Sequence, residues 1–337
     1  MTTPQFAVIS GAQVHRAVHG REAQVTKMIE EAYRLHGEGR TVNPDSYFLR
    51  FPDQPANRII ALPASVGGDV DVHGIKWISS FPGNVAEGLP RASAVLILND
   101  TETGYPFACL ESSIISAART AASAALAAVR LSEARGVRPK RVGFVGVGLI
   151  ARYIHTYLVG NGLTFDAAGV HDLSAEHAEG FRDYLTRAQP GEITVHDSAQ
   201  SLIRSSDLIV FATVAGEPHV HDPAWFEHNP LVLHISLRDL SPEIILGACN
   251  VVDDVEHCLK AGTSPHLAEQ RVGHRDFVAG TLYDVLSGAI GVPADKPVVF
   301  SPFGLGVLDL AVAKYVYDQV EDKTVIDGFF HELKRYG

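Results

Sequence analysis

A glycine-rich segment lies where an apolar strand is predicted to pass into a helix. It has the pattern Gly-x-Gly-x-x-Ala from position 146 and ends the apolar run of residues 141–147. The first glycine of such a pattern permits a tight turn, the second lets the backbone approach a pyrophosphate, and the small third residue allows close helix packing. Free N–H groups at the start of the helix bind the anion. The alternative is an ordinary glycine turn. The residues predicted to bind a dinucleotide here are Gly146, Gly148, Leu149, Ile150 and Ala151.

An acidic residue follows the next predicted strand, residues 165–171. Asp172 lies 26 positions after Gly146, somewhat beyond the usual spacing of about 20. A carboxylate at this strand end accepts hydrogen bonds from the adenosine ribose hydroxyls and repels a 2′-phosphate. Asp172 therefore favours NAD over NADP. The alternative is that Asp172 only caps the following helix, although Ser174 could provide that cap instead.

Two positive side chains lie in otherwise apolar segments. Lys76 lies in a predicted strand at residues 75–79, and this context alone predicts exposure to solvent. A buried lysine would instead have a lowered pKa and could work as an acid or a base. Arg119 is the only charged residue between Glu111 and Arg130. A buried arginine needs an anion, which a substrate carboxylate could provide through a bidentate pair.

Arg238 and Asp239 follow the apolar run of residues 231–237, at its carboxyl end. In open α/β sheets, ligands bind outside these strand ends, so both residues are candidates for a ligand site. An internal ion pair at the strand exit is an equal alternative. Alternation along an extended strand end would direct the two side chains to opposite sides.

The histidines and cysteines do not form the pattern of a metal site. His219 and His221 are two positions apart, but no cysteine or carboxylate set stands at ligand spacing around them. A zinc site needs three or four ligands, so a loop or surface position is expected for this pair and no metal is predicted. The three cysteines, Cys109, Cys249 and Cys258, have no CxxC spacing and are expected to be reduced and packed.

The first third of the chain is predicted to be rich in strands. Apolar residues at helical spacing predict one helix at residues 21–36, and turn residues separate the four strands that follow. These strands are expected at residues 46–51, 58–64, 75–79 and 94–98.

From residue 113 the pattern changes to apolar strands that alternate with helical segments. An alanine-rich helix at residues 113–135 is followed by strands at 141–147, 165–171, 192–195, 207–213 and 231–237. Such strands indicate a doubly wound parallel sheet of the Rossmann type. A last, amphipathic helix at residues 305–320 is expected to pack back on the first domain. The predicted fold is therefore α/β, with the nucleotide domain (116–304) inserted in an α+β domain (1–115, completed by 305–337).

Composition limits the classes of partner. The chain has 337 residues, of which 46% are hydrophobic and 20% charged, and its formal net charge is −11. A nucleic-acid binder usually has a basic excess, so nucleic acid is not expected as a partner. The alanine-rich run of residues 117–128 falls short of the roughly 20 apolar residues of a membrane span. No secretory signal precedes the first domain, so a cytoplasmic protein is expected.

Several segments together resemble the ornithine cyclodeaminase and mu-crystallin family over nearly the whole chain. They are Gly74-Ile75-Lys76 with Pro82-Gly83-Asn84 and Gly88-Leu89-Pro90, then residues 118–122, and then the glycine loop. The resemblance implies that Lys76, Arg119 and Arg50 hold a substrate α-carboxylate, and that Asp239 is the catalytic acid or base. It also implies dinucleotide contacts from Thr120, Thr213 and Ser301, and a homodimer formed through the first domain.

Residues 236–243, 251–255 and 301–309 resemble the branch of this family that oxidises N-(2-amino-2-carboxyethyl)-L-glutamate with NAD. Cyclodeaminases tend to carry a Gly-Gly-Asp-x-Pro-Gly-Lys segment where this chain has residues 237–243. The implied products are 2-oxoglutarate and L-2,3-diaminopropionate, a precursor of siderophores and peptide antibiotics. The implied roles are proton transfer for Asp239, and carboxylate polarisation or a proton relay for Lys76.

Three alternatives stay open: an ornithine cyclodeaminase, an imine or ketimine reductase, and a crystallin-like nucleotide-binding protein without activity. The implied substrate carries three carboxylates, of which the resemblance assigns one. We therefore predict that Arg238 pairs with a second one. The competing prediction is that Arg238 only bridges to a neighbouring acid such as Glu243.

Overall fold

The computed structural model describes residues 4–330. The chain forms two units: unit 1 is Met1–Arg119 with Leu305–Gly337, and unit 2 is Thr120–Gly304. Residues 1–3 and 331–337, which the predicted first domain includes, lie outside the described residues. The function predicted for each domain stays a prediction.

Strands are numbered along the described chain. They are β1 (Ala7–Ile9), β2 (Thr41–Val42), β3 (Tyr47–Phe51), β4 (Gln54–Val66), β5 (Val72–Ser80), β6 (Ala92–Asn99), β7 (Pro106–Glu111), β8 (Arg141–Val145), β9 (Ala167–His171), β10 (Glu192–Val195), β11 (Leu208–Phe211), β12 (Leu231–His234), β13 (Cys249–Val252), β14 (Val278–Thr281), β15 (Val298–Ser301) and β16 (Thr324–Val325).

The α-helices are numbered in the same way, and short 3-10 helices lie at Pro82–Glu87 and Pro223–Phe226. They are α1 (Gly11–Val18), α2 (Glu22–Gly37), α3 (Ser113–Arg135), α4 (Leu149–Gly160), α5 (Ala175–Ala188), α6 (Ala199–Arg204), α7 (Pro242–Gly247), α8 (Val255–Cys258), α9 (Ser264–Val272), α10 (Leu282–Ser287) and α11 (Gly306–Gln319).

Unit 1 is built on an eight-stranded mixed sheet. Its strand order is β16-β1-β7-β6-β5-β4-β2, with β3 paired to β4. Strands β3 to β6 follow one another as antiparallel neighbours, and the four predicted strands overlap them. The strands β1, β2, β7 and β16 were not predicted, because they are short or lack apolar alternation.

Helix α11 lies against β4, β5 and β6 on one side and contacts α2 on another. Its residues Gly306–Ala313 are all buried. The prediction that this helix is amphipathic is therefore wrong, because its first two turns are covered all round. One residue in these buried turns is the acidic Asp309.

Unit 2 contains a parallel eight-stranded sheet in the order β10-β9-β8-β11-β12-β15-β13-β14. The chain runs from β8 outward to β10 and then returns to form β11 on the other side of β8. This reversal makes a topological switch point, where doubly wound sheets bind ligands outside the carboxyl ends. The prediction of a Rossmann-type sheet is confirmed.

Helix α3 is 23 residues long and, among the described residues, is the one helix long and apolar enough to cross a membrane by length and composition. In its most apolar window, 67% of the residues are buried within the protein. This burial is typical of a core helix. Its many alanines are small enough to let neighbouring elements approach closely. The same alanines raise the hydropathy of the helix to the level of a membrane span.

Candidate functional site

The glycine loop joins β8 to α4 in unit 2. Gly146 has a φ of +81°, and a Cβ atom there would lie 2.9 Å from the backbone of Ala212 and Thr213, so only glycine fits. A Cβ at Gly148 would meet no atom within 4 Å, and no side chain caps the start of α4. The loop thus has open space in front of free helix N–H groups. This geometry fits a dinucleotide pyrophosphate.

The other predicted loop residues form the first turn of α4. Leu149 is exposed, Ile150 is partly buried and Ala151 is fully buried, as close packing of the helix requires. The loop is also fixed from β9, because the Gly146 N–H donates to the carbonyl of His171 at 3.0 Å.

Asp172 follows β9 and is bound to the glycine loop. Its carboxylate accepts hydrogen bonds from the backbone N–H of Val147 (3.1 Å) and of Ser174 (2.9 Å). The cap of α5 is Ser174, whose hydroxyl accepts from the N–H of His177 at 3.3 Å. The alternative that Asp172 caps this helix is therefore wrong. The position of Asp172 beside the glycine loop fits a contact with the ribose of a dinucleotide, and this role stays a proposal.

Asp239 is the centre of a polar cluster in unit 2. Its side chain is 0% exposed. Oδ1 accepts a hydrogen bond from the Thr213 hydroxyl and lies 3.0 Å from Nε2 of His219. Oδ2 lies 3.3 Å from Nε2 of His234, and Nδ1 of His234 lies 3.1 Å from the Ser301 hydroxyl. A chain of polar contacts thus runs from Ser301 through His234 and Asp239 to His219.

The surroundings of Asp239 favour its charged form. Burial acts to raise the pKa of this carboxyl, but its polar contacts with His219 and His234 outweigh burial and hold the pKa well below its usual range. Nε2 of His234 also accepts a hydrogen bond from the Asp239 backbone N–H at 3.2 Å. Asp239 is therefore an ionised hydrogen-bond acceptor at neutral pH. A carboxylate stabilised in this way is a weak proton acceptor.

The side chains of two predicted cofactor contacts belong to this cluster. Thr213 donates to Asp239 and accepts from the N–H of Ala215 at 3.2 Å. Ser301 is buried and lies against His234. Thr120, the third, lies in α3. The structure does not show a dinucleotide contact for these three residues, so that role stays a proposal.

Sequence reasoning missed Asp253, which follows β13. This buried carboxylate accepts hydrogen bonds from the backbone N–H of Phe303 (2.9 Å) and Gly304 (2.7 Å). It fixes the segment after β15, the strand that ends at Ser301. An acid directly after the apolar pair Val251 and Val252 was the available signal.

A second polar cluster lies in unit 1, where the side chain of Asp309 is 0% exposed. The Lys76 Nζ donates to Oδ2 of Asp309 at 2.6 Å, and Nε of Arg119 donates to Oδ1 at 3.2 Å. Lys76 also donates to the Ser116 hydroxyl at 3.3 Å. Lys76 is 1% exposed, so the expectation of a solvent-exposed lysine is wrong.

Two positive groups share one negative group in this cluster. Burial lowers the pKa of Lys76 to about 8, with a smaller lowering by the charge of Arg119, while Asp309 acts in the opposite direction. Asp309 provides the anion that Arg119, which is partly buried, was expected to find in a substrate. The contact uses one of the five N–H donors of the guanidinium.

Arg50 lies on β3 and is exposed, with its guanidinium carbon 5.0 Å from the centre of the Phe48 ring. Arg50 on β3 is the register partner of Arg58 on β4, and Arg58 is the register partner of Ser80 on β5. Ser80 is four residues along β5 from Lys76. Arg50 and Lys76 thus belong to the same face of the sheet. Their Cα atoms are roughly 16 Å apart from strand geometry. Arg50 is not part of the Asp309 cluster.

Arg238 is partly buried and donates to the carbonyl oxygens of Ala261 (2.7 Å) and Gly262 (3.1 Å). Glu243 instead pairs with Arg271. The competing prediction of an Arg238–Glu243 bridge is therefore wrong. Arg238 lines a cavity of about 650 Å³ in unit 2, and carbonyl groups do not neutralise its charge.

Within residues 4–330, no group of three or more histidine, cysteine or acidic side chains is arranged to hold a metal ion. His221 is exposed, whereas His219 reaches Asp239. The sequence analysis expected a loop or surface position for His219, because its contact with a residue 20 positions away was not visible in the local pattern.

The sequence model of the Ornithine cyclodeaminase/mu-crystallin family matches residues 8–324. The chain therefore belongs to this family. It is 28% identical over 316 residues to N-((2S)-2-amino-2-carboxyethyl)-L-glutamate dehydrogenase of Staphylococcus aureus, with 91% of this chain and 93% of that protein covered.

The chain is also similar to solved structures over nearly its whole length. The chain is similar to the protein CmnK, with a TM-score of 0.87 and 29% identity over 98% of this chain and 100% of that chain. It is also similar to an archaeal alanine dehydrogenase dimer with bound NAD, with a TM-score of 0.84 and 26% identity over 97% of this chain and 100% of that chain.

Proposed function

We propose that this chain is an NAD-dependent dehydrogenase that converts N-(2-amino-2-carboxyethyl)-L-glutamate and water to 2-oxoglutarate and L-2,3-diaminopropionate. The cluster of buried Lys76 and Asp309 with partly buried Arg119 is the observation that carries the proposal. Two cations on one carboxylate leave a net positive charge in a place with little access to water. A substrate carboxylate would neutralise that charge and be held in a defined orientation.

Unit 2 has the residues that such a reaction needs for its cofactor. Gly146, Gly148 and the first turn of α4 would hold the pyrophosphate, and Asp172 would accept hydrogen bonds from the ribose hydroxyls. When bound, NAD supplies the acceptor for the hydride of the glutamate α-carbon. The archaeal relative with bound NAD supports this choice of cofactor.

Three carboxylates of the substrate need positive partners, because each would be costly to desolvate alone. Lys76 and Arg119 are assigned to the α-carboxylate of the glutamate part. Arg50 is on the same sheet face as Lys76 but roughly 16 Å away, so it is assigned to a different carboxylate. Arg238 is available for the remaining one, because its two partners are neutral carbonyl groups.

The amine nitrogen has to lose a proton as its bond to the α-carbon becomes a C=N bond. The polar cluster around Asp239 supplies the acceptor for that proton. Water then adds to the imine, and collapse of the adduct releases 2-oxoglutarate and L-2,3-diaminopropionate. The diamino acid would serve siderophore or peptide-antibiotic biosynthesis, as the resemblance to this branch implies.

The test is to incubate the protein with the adduct and NAD, to follow NADH absorbance, and to identify both products by mass spectrometry. Ornithine, alanine and a cyclic imine with NADH are the comparison substrates. Turnover of the adduct at the highest kcat/KM is expected. Preference for ornithine would assign a cyclodeaminase, and preference for the cyclic imine would assign a reductase.

We also propose a homodimer formed through unit 1. On β5 and β6, the face of the sheet opposite to α11 exposes Trp77 and Val95, which are direct cross-strand neighbours. Exposed apolar side chains that adjoin on a flat sheet are typical of a protein interface. The archaeal relative that is a dimer supports this proposal.

A further inference from the structure

The cluster around Asp239 contains one histidine that is exposed to solvent. The His219 side chain is 41% exposed, whereas the side chains of Asp239 and His234 are both 0% exposed. His219 follows β11 and Asp239 follows β12, two neighbouring strands next to the switch point. Of these three titratable groups, His219 is the one that a ligand can reach.

Asp239 cannot easily take a proton from a substrate itself. Its Oδ1 is engaged by Thr213 and His219, and its Oδ2 lies against His234. It has no exposed oxygen, and these contacts favour its ionised form. Its chemical effect must therefore pass through a neighbouring group.

Both the backbone and the ring of His219 are fixed to the Asp239 segment. The backbone N–H groups of His219 and Val220 each donate to the Asp239 carbonyl at 3.0 Å, and Ser241 N–H donates to the Val220 carbonyl at 2.9 Å. Nε2 of the ring lies 3.0 Å from Oδ1 of the same Asp239. This double attachment gives the imidazole one orientation.

The contact also determines which ring nitrogen carries hydrogen. An ionised carboxylate only accepts hydrogen bonds, so the short distance requires a proton on Nε2. In the neutral ring, Nδ1 then keeps its lone pair. The other titratable or charged side chains adjacent to the pair are His234 on Oδ2 and, along the chain, Glu217, His221 and Arg238.

We propose that His219 is a catalytic residue that exchanges a proton with the substrate amine through Nδ1, and that Asp239 is a positioning residue. The inference rests on the proposed function. As the C=N bond forms, the α-hydrogen leaves as hydride to NAD and the N–H proton passes to Nδ1. Water then adds across the C=N bond and gives an adduct with a hydroxyl group on the former α-carbon. As its C–N bond breaks, the departing amine of diaminopropionate takes the proton from Nδ1, and the hydroxyl proton is released to solvent as the C=O bond forms. In this arrangement the aspartate orients the imidazole, and the histidine acts as the base.

Steady-state kinetics over a range of pH test the role of His219. In His219→Gln, kcat/KM should fall by about 100-fold or more, and the acid limb of the pH profile should disappear. The affinity for NAD should not change. Added imidazole should restore part of the activity of His219→Ala. The control is His274→Gln, which replaces an exposed histidine of unit 2 and should behave like the wild type.

Histidine ring NMR tests the same inference without a substrate. Long-range ¹H–¹⁵N spectra should show His219 with its proton on Nε2, and Asp239→Asn should reduce this preference.

Failure of the proposed function and failure of this inference can be distinguished. If the wild type oxidises another amino acid but not the adduct, the proposed function fails, and the kinetic test of His219 is repeated with that amino acid. A wild type without any turnover also fails the proposed function, and the NMR result then decides for His219. A proton on Nδ1, or a kcat/KM of His219→Gln within about twofold of the wild type, would overturn the inference.

Discussion

The charge of a single carboxylate holds the unit 1 cluster together. Asp309 accepts from both Lys76 and Arg119 inside the protein, whereas Asp318 on the same helix pairs with Lys314 near the surface. Removal of one partner from a buried pair leaves a charge without compensation, which is far more costly than the loss of a surface pair.

We expect Asp309→Asn to destabilise the fold by about 3 kcal/mol or more, because two cations would then lie buried without a counter-ion. Asp318→Asn removes the same charge from the same helix and should cost less than about 1 kcal/mol. Calorimetric unfolding of the two variants measures the difference. Equal unfolding temperatures would show that Asp309 is not needed to compensate these charges.

We expect Lys76 to make carboxylate binding dependent on pH. Its pKa is lowered to about 8 in the folded chain, so the neutral amine predominates above that pH. A carboxylate ligand binds the protonated form. We therefore expect the affinity for 2-oxoglutarate to fall by up to about tenfold per pH unit above this pKa.

Titration calorimetry of the wild type and of Lys76→Met, from about pH 7 to 9.5, measures this effect. The variant should bind more weakly at neutral pH and should lose the dependence on pH in this range. An unchanged wild-type affinity up to the highest pH would assign the charge of the cluster to Arg119 alone.

At the scale of elements, what the sequence predicts is local. Apolar composition alone predicts the strands β8, β9, β11 and β12. A glycine loop between a strand and a helix commonly binds a dinucleotide. Asp309 has no such signal, because its partner Lys76 is 233 positions away. His219 was missed for the same reason, since its contact with Asp239 depends on which strands become neighbours.

The β9–α5 connection should determine the choice of cofactor. Asp172 places a negative charge beside the glycine loop, so NAD should bind at least about tenfold better than NADP, a difference of about 1.4 kcal/mol. Asp172→Asn keeps an acceptor for the Val147 N–H but removes the charge, and it should narrow the preference. Asp197→Asn, an exposed residue of unit 2, is the control. Calorimetric titration that shows equal affinities in the wild type would contradict this prediction.

At the scale of the whole molecule, the two faces of the unit 1 sheet differ in what covers them. Helix α11 packs on one face, and alternation along β5 places Lys76 toward that helix and Trp77 on the other side. Trp77 and Val95 are 42% and 44% exposed in the single chain. Contact with a second apolar surface would remove these two side chains from water, which is favourable.

We expect the wild type to sediment as a dimer and Val95→Glu to sediment as a monomer at the same concentration. The introduced carboxylate would be buried without a partner in the interface, which costs several kcal/mol. Val137→Glu is the matched control, because Val137 is 45% exposed but lies in unit 2. Analytical ultracentrifugation of the three proteins measures the outcome. A dimer that persists in Val95→Glu would exclude this face of the sheet as the interface. A stable interface buries about 1,600 Å², and an unpaired charge inside it lowers the affinity of the two chains.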